Sequence, residues 1–217
     1  MILIKKKTEP YEWKRYRHTP EAVYQSQEGL VNSLLEEQGY LCAYCMRRIP
    51  CKDRVNGTLT QEDHRVEHIK CRNVFPELQL SYTNMVVCCP GHLGEHEHCD
   101  RLKKDQPISF SPMDKNFIST LFYENGKIKS TNDRWMEEME GILNLNDEAL
   151  IRARRQTLSA TIDLLAKTNA QKPWTRQMVE KYLLKYSTMH NEKGKLKHYP
   201  YCGIVIYYLQ KKLKQLL

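Results

Sequence analysis

The sequence predicts an α+β protein that is mainly helical, with a turn-rich, metal-binding middle. Three observations lead there. Seven of the eight cysteines, and five of the eight histidines, fall between Cys42 and Cys99. Apolar residues recur at helical spacing before that stretch and again after Asn146. Between them Glu124-Asn125-Gly126 separates two short runs, and Asn-Gly is a strong hairpin turn signal.

Residues 1–40 hold a lysine-rich start and one helix. Thr19 is suited to cap it, Pro20 to open it and Gly39 to end it. Val23, Leu30, Val31, Leu34 and Leu35 then share one face. Residues 41–110 are rich in turns and poor in helical period. Residues 111–217 begin with a hairpin, 117–123 against 127–129, and continue as helices. Asn146 or Asp147 is suited to cap one reaching Lys167, with Leu150, Ala153, Leu158, Ile162 and Leu165 inward. Thr175 is suited to cap another through Tyr186, and Pro200 to start the last. The stretch from His190 to His198 reads as a polar loop, and no repeat or low-complexity segment is visible.

With 217 residues, 41% hydrophobic and 28% charged, the composition is that of a globular chain. No apolar run approaches the roughly 20 residues of a membrane span. The start, Met1-Ile2-Leu3-Ile4 followed by lysines, reverses the order of a secretory signal. A cytoplasmic protein is expected, with no membrane contact. The net charge of +8 is concentrated late in the chain: from Lys167 onward eleven Lys/Arg face only Glu180 and Glu192, a net +9. Such a segment suits a phosphate backbone or an acidic protein face.

A reducing compartment makes clustered cysteines a metal site rather than a disulfide framework. Cys42-Ala43-Tyr44-Cys45 is a CxxC knuckle, whose tight turn can aim two thiolates at one zinc. Two further ligands are needed. Cys88, Cys89 and Cys99 are candidates, with His92, His96 and His98 behind them in an exposed loop. Cys51 and Cys71 sit alone and read as buried bystanders.

Three stretches then stand in order: Val66-Glu67-His68-Ile69, Asn84 ahead of Cys88-Cys89, and His98-Cys99-Asp100-Arg101-Leu102-Lys103. In these the chain resembles the HNH endonuclease family. The resemblance implies a ββα-metal core over residues 41–110, stapled by a structural zinc. It selects Cys89 over Cys88 and adds Cys99, so that Cys42, Cys45, Cys89 and Cys99 would hold the zinc. It implies catalytic roles for His68, Asn84, Glu67 and Asp100, with Lys103 as the family's trailing lysine. His68 has the ordinary pKa of a general base for water. Glu67 and Asp100 offer hard oxygens for Mg²⁺ or Mn²⁺. The departures are Asp100, where the family most often has His or Asn, and the long insert at residues 90–98 between the second pair of cysteines.

The resemblance narrows further to the HNH nuclease subunits found with retrons and with Septu anti-phage systems. It rests on the N-terminal Met1-Ile2-Leu3-Ile4-Lys5-Lys6, Gly39 to Cys45, Ile108-Ser109-Phe110-Ser111-Pro112, and Leu143-Asn144-Leu145-Asn146, and covers roughly residues 1–165. It implies a defence nuclease cutting DNA or a tRNA-like RNA beside an ABC/SMC-like ATPase subunit. The rival reading is a non-catalytic zinc module binding nucleic acid or a partner protein, which has no need of Glu67, His68 and Asp100. A zinc deaminase lacks its H-x-E and P-C-x-x-C signatures here.

Overall fold

The structure, a computed structural model, describes residues 1–50, 63–93, 96–168 and 173–216. The chain enters extended, with Met1 and Ile4 buried. Ile4 N–H donates to the Pro112 carbonyl (3.0 Å). Helix α1 (Tyr11–Arg17) buries only Trp13, which is why no apolar period announces it. Helix α2 (Glu28–Glu37) buries Leu30, Val31, Leu34 and Leu35, the face expected. Its start is later than expected. The Thr19 hydroxyl donates back to Tyr16 O (2.7 Å), so Thr19 closes α1 and caps no new helix. Val23 is accordingly exposed. Gly39 does end α2: it has φ +56°, and Tyr40 N–H reaches back to Leu35 O (2.9 Å), a Schellman closure.

Past the cysteine knuckle, β1 (Arg65–His68) runs antiparallel to β2 (Met85–Cys88). Two 3₁₀ turns, Pro76–Leu78 and Tyr82–Asn84, lie between them. A small hairpin, β3 (His92–Leu93) with β4 (His96–Glu97), leads into the short helix α3 (Asp100–Lys103). Phe117, expected in a strand, instead lies fully buried on α4 (Lys115–Ser119), capped by Asp114. The hairpin proper is β5 (Leu121–Glu124) with β6 (Lys127–Ser130). Asn125 and Gly126 make its turn at positive φ, as a two-residue hairpin requires.

Helix α5 (Asp133–Gly141) is capped by Asn132. The long α6 (Glu148–Thr168) follows Asp147, whose carboxylate accepts from Ala149 N–H (2.9 Å). Thr175 caps α7 (Arg176–Ser187). The stretch expected as a loop is a third hairpin, β7 (His190–Glu192) with β8 (Lys195–Lys197), turned by Lys193-Gly194 at positive φ. Its strands are polar, so they lack the apolar alternation that marks a strand in sequence. Helix α8 (Cys202–Lys214) begins after Tyr201 rather than at Pro200.

Two apolar cores result. The larger draws on residues from Met1 to Leu150 and surrounds the β1–β2 sheet. The other joins the ends of α6, α7 and α8 to Leu41 and Met46. Tyr123 and Tyr201 touch both.

Candidate active site and metal centre

Four buried cysteines from three places in the chain meet beside β2. One ligand atom from each of Cys42, Cys45, Cys89 and Cys99 lies within 4.8 Å of every other. The Sγ of Cys42 is 3.8 Å from that of Cys99, and Cys45 Sγ is 3.7 Å from Cys89 Sγ. These separations exclude a disulfide, whose sulfurs lie about 2.05 Å apart. They suit a tetrahedron: sulfurs about 2.3 Å from one ion stand about 3.8 Å from each other. Burial, and then the neighbouring sulfurs, hold the Cys99 thiol well above its ordinary pKa. Four ionised thiolates in such a place require a cation, and the donor set fits zinc.

The surrounding backbone explains how the four converge. Ala43 N–H donates to Val87 O (3.0 Å), fastening the knuckle to β2. The buried Gln38 side chain adds three bonds, donating to Leu41 O and Val87 O (both 2.8 Å) and accepting from Val87 N–H (2.7 Å). Gly91 turns the chain out at φ +82°, and a Cβ there would lie 2.3 Å from that of Arg101. His98 N–H donates back to Gly91 O (2.8 Å), closing the excursion before Cys99. The insert between the second pair of cysteines is therefore a hairpin that leaves and returns.

The histidines of that insert divide. His92 and His96 are exposed. His98 is not, contrary to expectation: it is fully buried, with Nδ1 3.2 Å from Cys99 Sγ. Cys71 is buried and donates to Asp105 O (3.0 Å), and Cys51 lies outside the described residues.

A cavity of about 350 Å³ is lined by Glu67, His68 and Asp100, together with Tyr24, Arg65 and Arg72. His68 ends β1. Its Nε2 lies 2.9 Å from the Gln79 carbonyl, and Tyr24 packs edge-on against its ring at 4.5 Å. A carbonyl only accepts, so Nε2 carries the proton and Nδ1 holds the free lone pair. Burial, aided by the Arg72 charge, lowers the His68 pKa to about 4, so the ring is neutral at pH 7. Asn84 holds the loop beyond it. Its Oδ1 accepts from Lys70 N–H (2.8 Å), while Nδ2 donates to Lys70 O (2.9 Å) and Leu78 O (3.3 Å).

Arg65 and Glu67 alternate with Val66 and His68 on β1, so they share a face, and α3 covers it. The buried Glu67 Oε1 accepts from Tyr44 Oη (2.8 Å) and pairs with Lys103 Nζ (2.9 Å). Lys103 is itself fully buried and donates to His68 O (3.3 Å). Asp100 opens α3 and faces Glu67, with Oδ2 2.6 Å from Arg65 Nε. Burial and the Asp100 carboxylate push the Glu67 carboxyl well above its usual range, against the pull of Lys103. Two facing carboxylates repel; Lys103 and Arg65 offset that repulsion here, and a bound divalent cation would offset it further. The pair thus fits Mg²⁺ or Mn²⁺ as a hard oxygen donor set. Removing Lys103 leaves Glu67 buried without its counter-ion, and Lys103→Ala is expected to cost about 3–5 kcal/mol, read from urea unfolding.

With this geometry in view, one relative is informative. A Vibrio cholerae serotype O1 biovar El Tor protein named "Retron Vc95 putative HNH endonuclease" is 25% identical over 171 residues, spanning 70% of this chain and 77% of its own. The likeness supports the HNH endonuclease family. No protein-family profile matches the chain. Among the described residues no helix is long and apolar enough to cross a membrane.

Several residues of the site escape a linear reading. Arg65 was detectable, since strand alternation puts it beside Glu67. Tyr44 lies inside the knuckle itself, yet nothing local ties it to a carboxylate 23 positions away. Gln38 and Tyr24 carry no signal at all, because each acts on a segment distant in sequence.

Proposed function

We propose that the protein is a metal-dependent HNH endonuclease that hydrolyses phosphodiester bonds in nucleic acid. The observation that carries this reading is one cavity holding a neutral His68 beside the facing carboxylates of Glu67 and Asp100. The antiparallel β1–β2 pair and α3, with four clustered cysteines, support a ββα-metal core. His68 Nδ1 accepts a proton from the attacking water, and the Gln79 carbonyl keeps its tautomer. Glu67 and Asp100 would hold Mg²⁺ or Mn²⁺, which would supply charge neutralisation at the scissile phosphate and leaving oxygen. Tyr44 and Lys103 orient Glu67, and Asn84 orients the His68 loop. Cys42, Cys45, Cys89 and Cys99 would hold the structural zinc.

The resemblance to retron- and Septu-associated (PtuB-like) subunits supports a finer reading: a cytoplasmic anti-phage effector that cuts DNA or a tRNA-like RNA beside an ABC/SMC-like ATPase. The +9 segment from Lys167 onward offers either partner a complementary charge.

The test is cleavage of supercoiled plasmid and of a folded RNA by purified protein in Mn²⁺. Cleavage of at least one is expected, stopped by a chelator and lost in Asp100→Asn. Cleavage that persists in both conditions would refute the metal reading. Silence on both substrates, with and without the ATPase, would favour the zinc-stapled binding module.

A further inference from the structure

The Glu67–Asp100 pair is neutralised from two sides by two different cations. Lys103 does so from within, fully buried, with Nζ 2.9 Å from Glu67 Oε1. Arg65 does so from the cavity, with Nε 2.6 Å from Asp100 Oδ2 and a side chain 49% exposed. Withdrawing Lys103 would strand a buried carboxylate. Withdrawing Arg65 costs little, because an exposed ion pair is worth about 0–1 kcal/mol and its long side chain can turn into solvent.

We propose that Arg65 is an exchangeable counter-ion that sits on Asp100 until that carboxylate binds a divalent cation, and that the released guanidinium then grips a phosphate of the nucleic acid. The inference rests on the reading of Glu67 and Asp100 as metal ligands. A guanidinium and a divalent cation on one carboxylate repel each other, so cation binding is penalised while Arg65 stays. A phosphate is the natural destination, because a guanidinium bonds two of its oxygens at once. Arg72, seated over the Tyr24 ring at 4.9 Å, and Lys104 line the same cavity and draw the phosphate backbone toward it. Metal and nucleic acid then bind with positive coupling, since each favours the state in which Arg65 has left Asp100.

The experiment measures Mn²⁺ affinity, by electron paramagnetic resonance of the free ion, for wild type, Arg65→Gln and Asp100→Asn. Arg65→Gln is expected to bind Mn²⁺ about tenfold more tightly than wild type. A merely structural role for Arg65 would not raise affinity. A second arm uses the His68→Ala background, in which cleavage is expected to be about 10²–10⁴-fold slower, to titrate a short DNA duplex and a folded RNA against salt with Mn²⁺ present, the bound nucleic acid being checked for cutting. There Arg65→Gln is expected to lower the salt slope by about one phosphate contact on the ligand that binds more tightly. Mn²⁺ affinity that does not rise in Arg65→Gln, or a salt slope that does not change, would overturn the proposal alone. Equal Mn²⁺ affinity for wild type and Asp100→Asn would overturn the metal reading itself, and this proposal with it.

Discussion

Replacing His68 by alanine is expected to lower the cleavage rate about 10²–10⁴-fold, the usual worth of a general base, while leaving the fold intact. The pH profile of the wild type tests the same assignment more sharply. An ordinary histidine would lose its basic form below about pH 6.5. Burial lowers the His68 pKa to about 4, so His68 itself is expected to limit cleavage only near pH 4, and a fall at higher pH is expected to belong to the raised Glu67 carboxyl and to be relieved by more Mn²⁺. A rate that halves near pH 6.5 whatever the Mn²⁺ concentration would contradict the assignment. The same shift bears on stability. Between pH 6.5 and about 4 the unfolded chain binds a proton that the folded His68 does not. The contribution is therefore complete above pH 6.5 and is lost as the pH falls toward 4. It is on the order of 3 kcal/mol over the whole window, of which urea unfolding at pH 7 and pH 5 would show about 2 kcal/mol, and it is absent in His68→Ala.

The cysteine cluster predicts an effect on the whole molecule. Native mass spectrometry is expected to find one zinc in the wild type and in Cys88→Ser, and none in Cys89→Ser. Both cysteines are fully buried, so burial does not separate them. Position does: Cys88 closes β2 opposite Arg65, whereas the Cys89 sulfur lies 3.7 Å from that of Cys45. Structural zinc binds with an apparent free energy of about 10–16 kcal/mol in small domains, comparable to the whole stability of a protein this size. Cys89→Ser is therefore expected to be largely unfolded or to melt far below wild type, and chelation should do the same to the native protein. Zinc retained by Cys89→Ser and lost by Cys88→Ser would shift the ligand register by one residue.

Some of this architecture was open to inspection in the chain, and some was not. The caps at Asp147 and Thr175, the turn at Asn125-Gly126 and the buried stripe of α2 all appear in the structure. The first helix, the shift of α2 past Thr19 and the β7–β8 hairpin do not follow from the sequence. Trp13 is too little to show a period, Thr19 bonds backward instead of forward, and the hairpin strands have no apolar side. At the site, Cys42, Cys45, Cys89 and Cys99 were named from spacing and family resemblance, and the fold brings their sulfurs together. His98 was expected in solvent, yet it is buried beside Cys99, where its N–H is bonded to Gly91 O.

By itself, then, the sequence determined what a few neighbouring residues can enforce: helix ends, a tight turn, two thiols set to share an ion, and an acid beside a histidine. Only the tertiary structure decided the environment of those groups. Tyr24 and Gln79 set the ring and proton of His68 from separate segments. Tyr44, Lys103 and Arg65 reach the carboxylate pair from the knuckle, from α3 and from β1. The reason is physical: burial and charge pairing depend on which surfaces meet, and those contacts join residues tens of positions apart that no local pattern links.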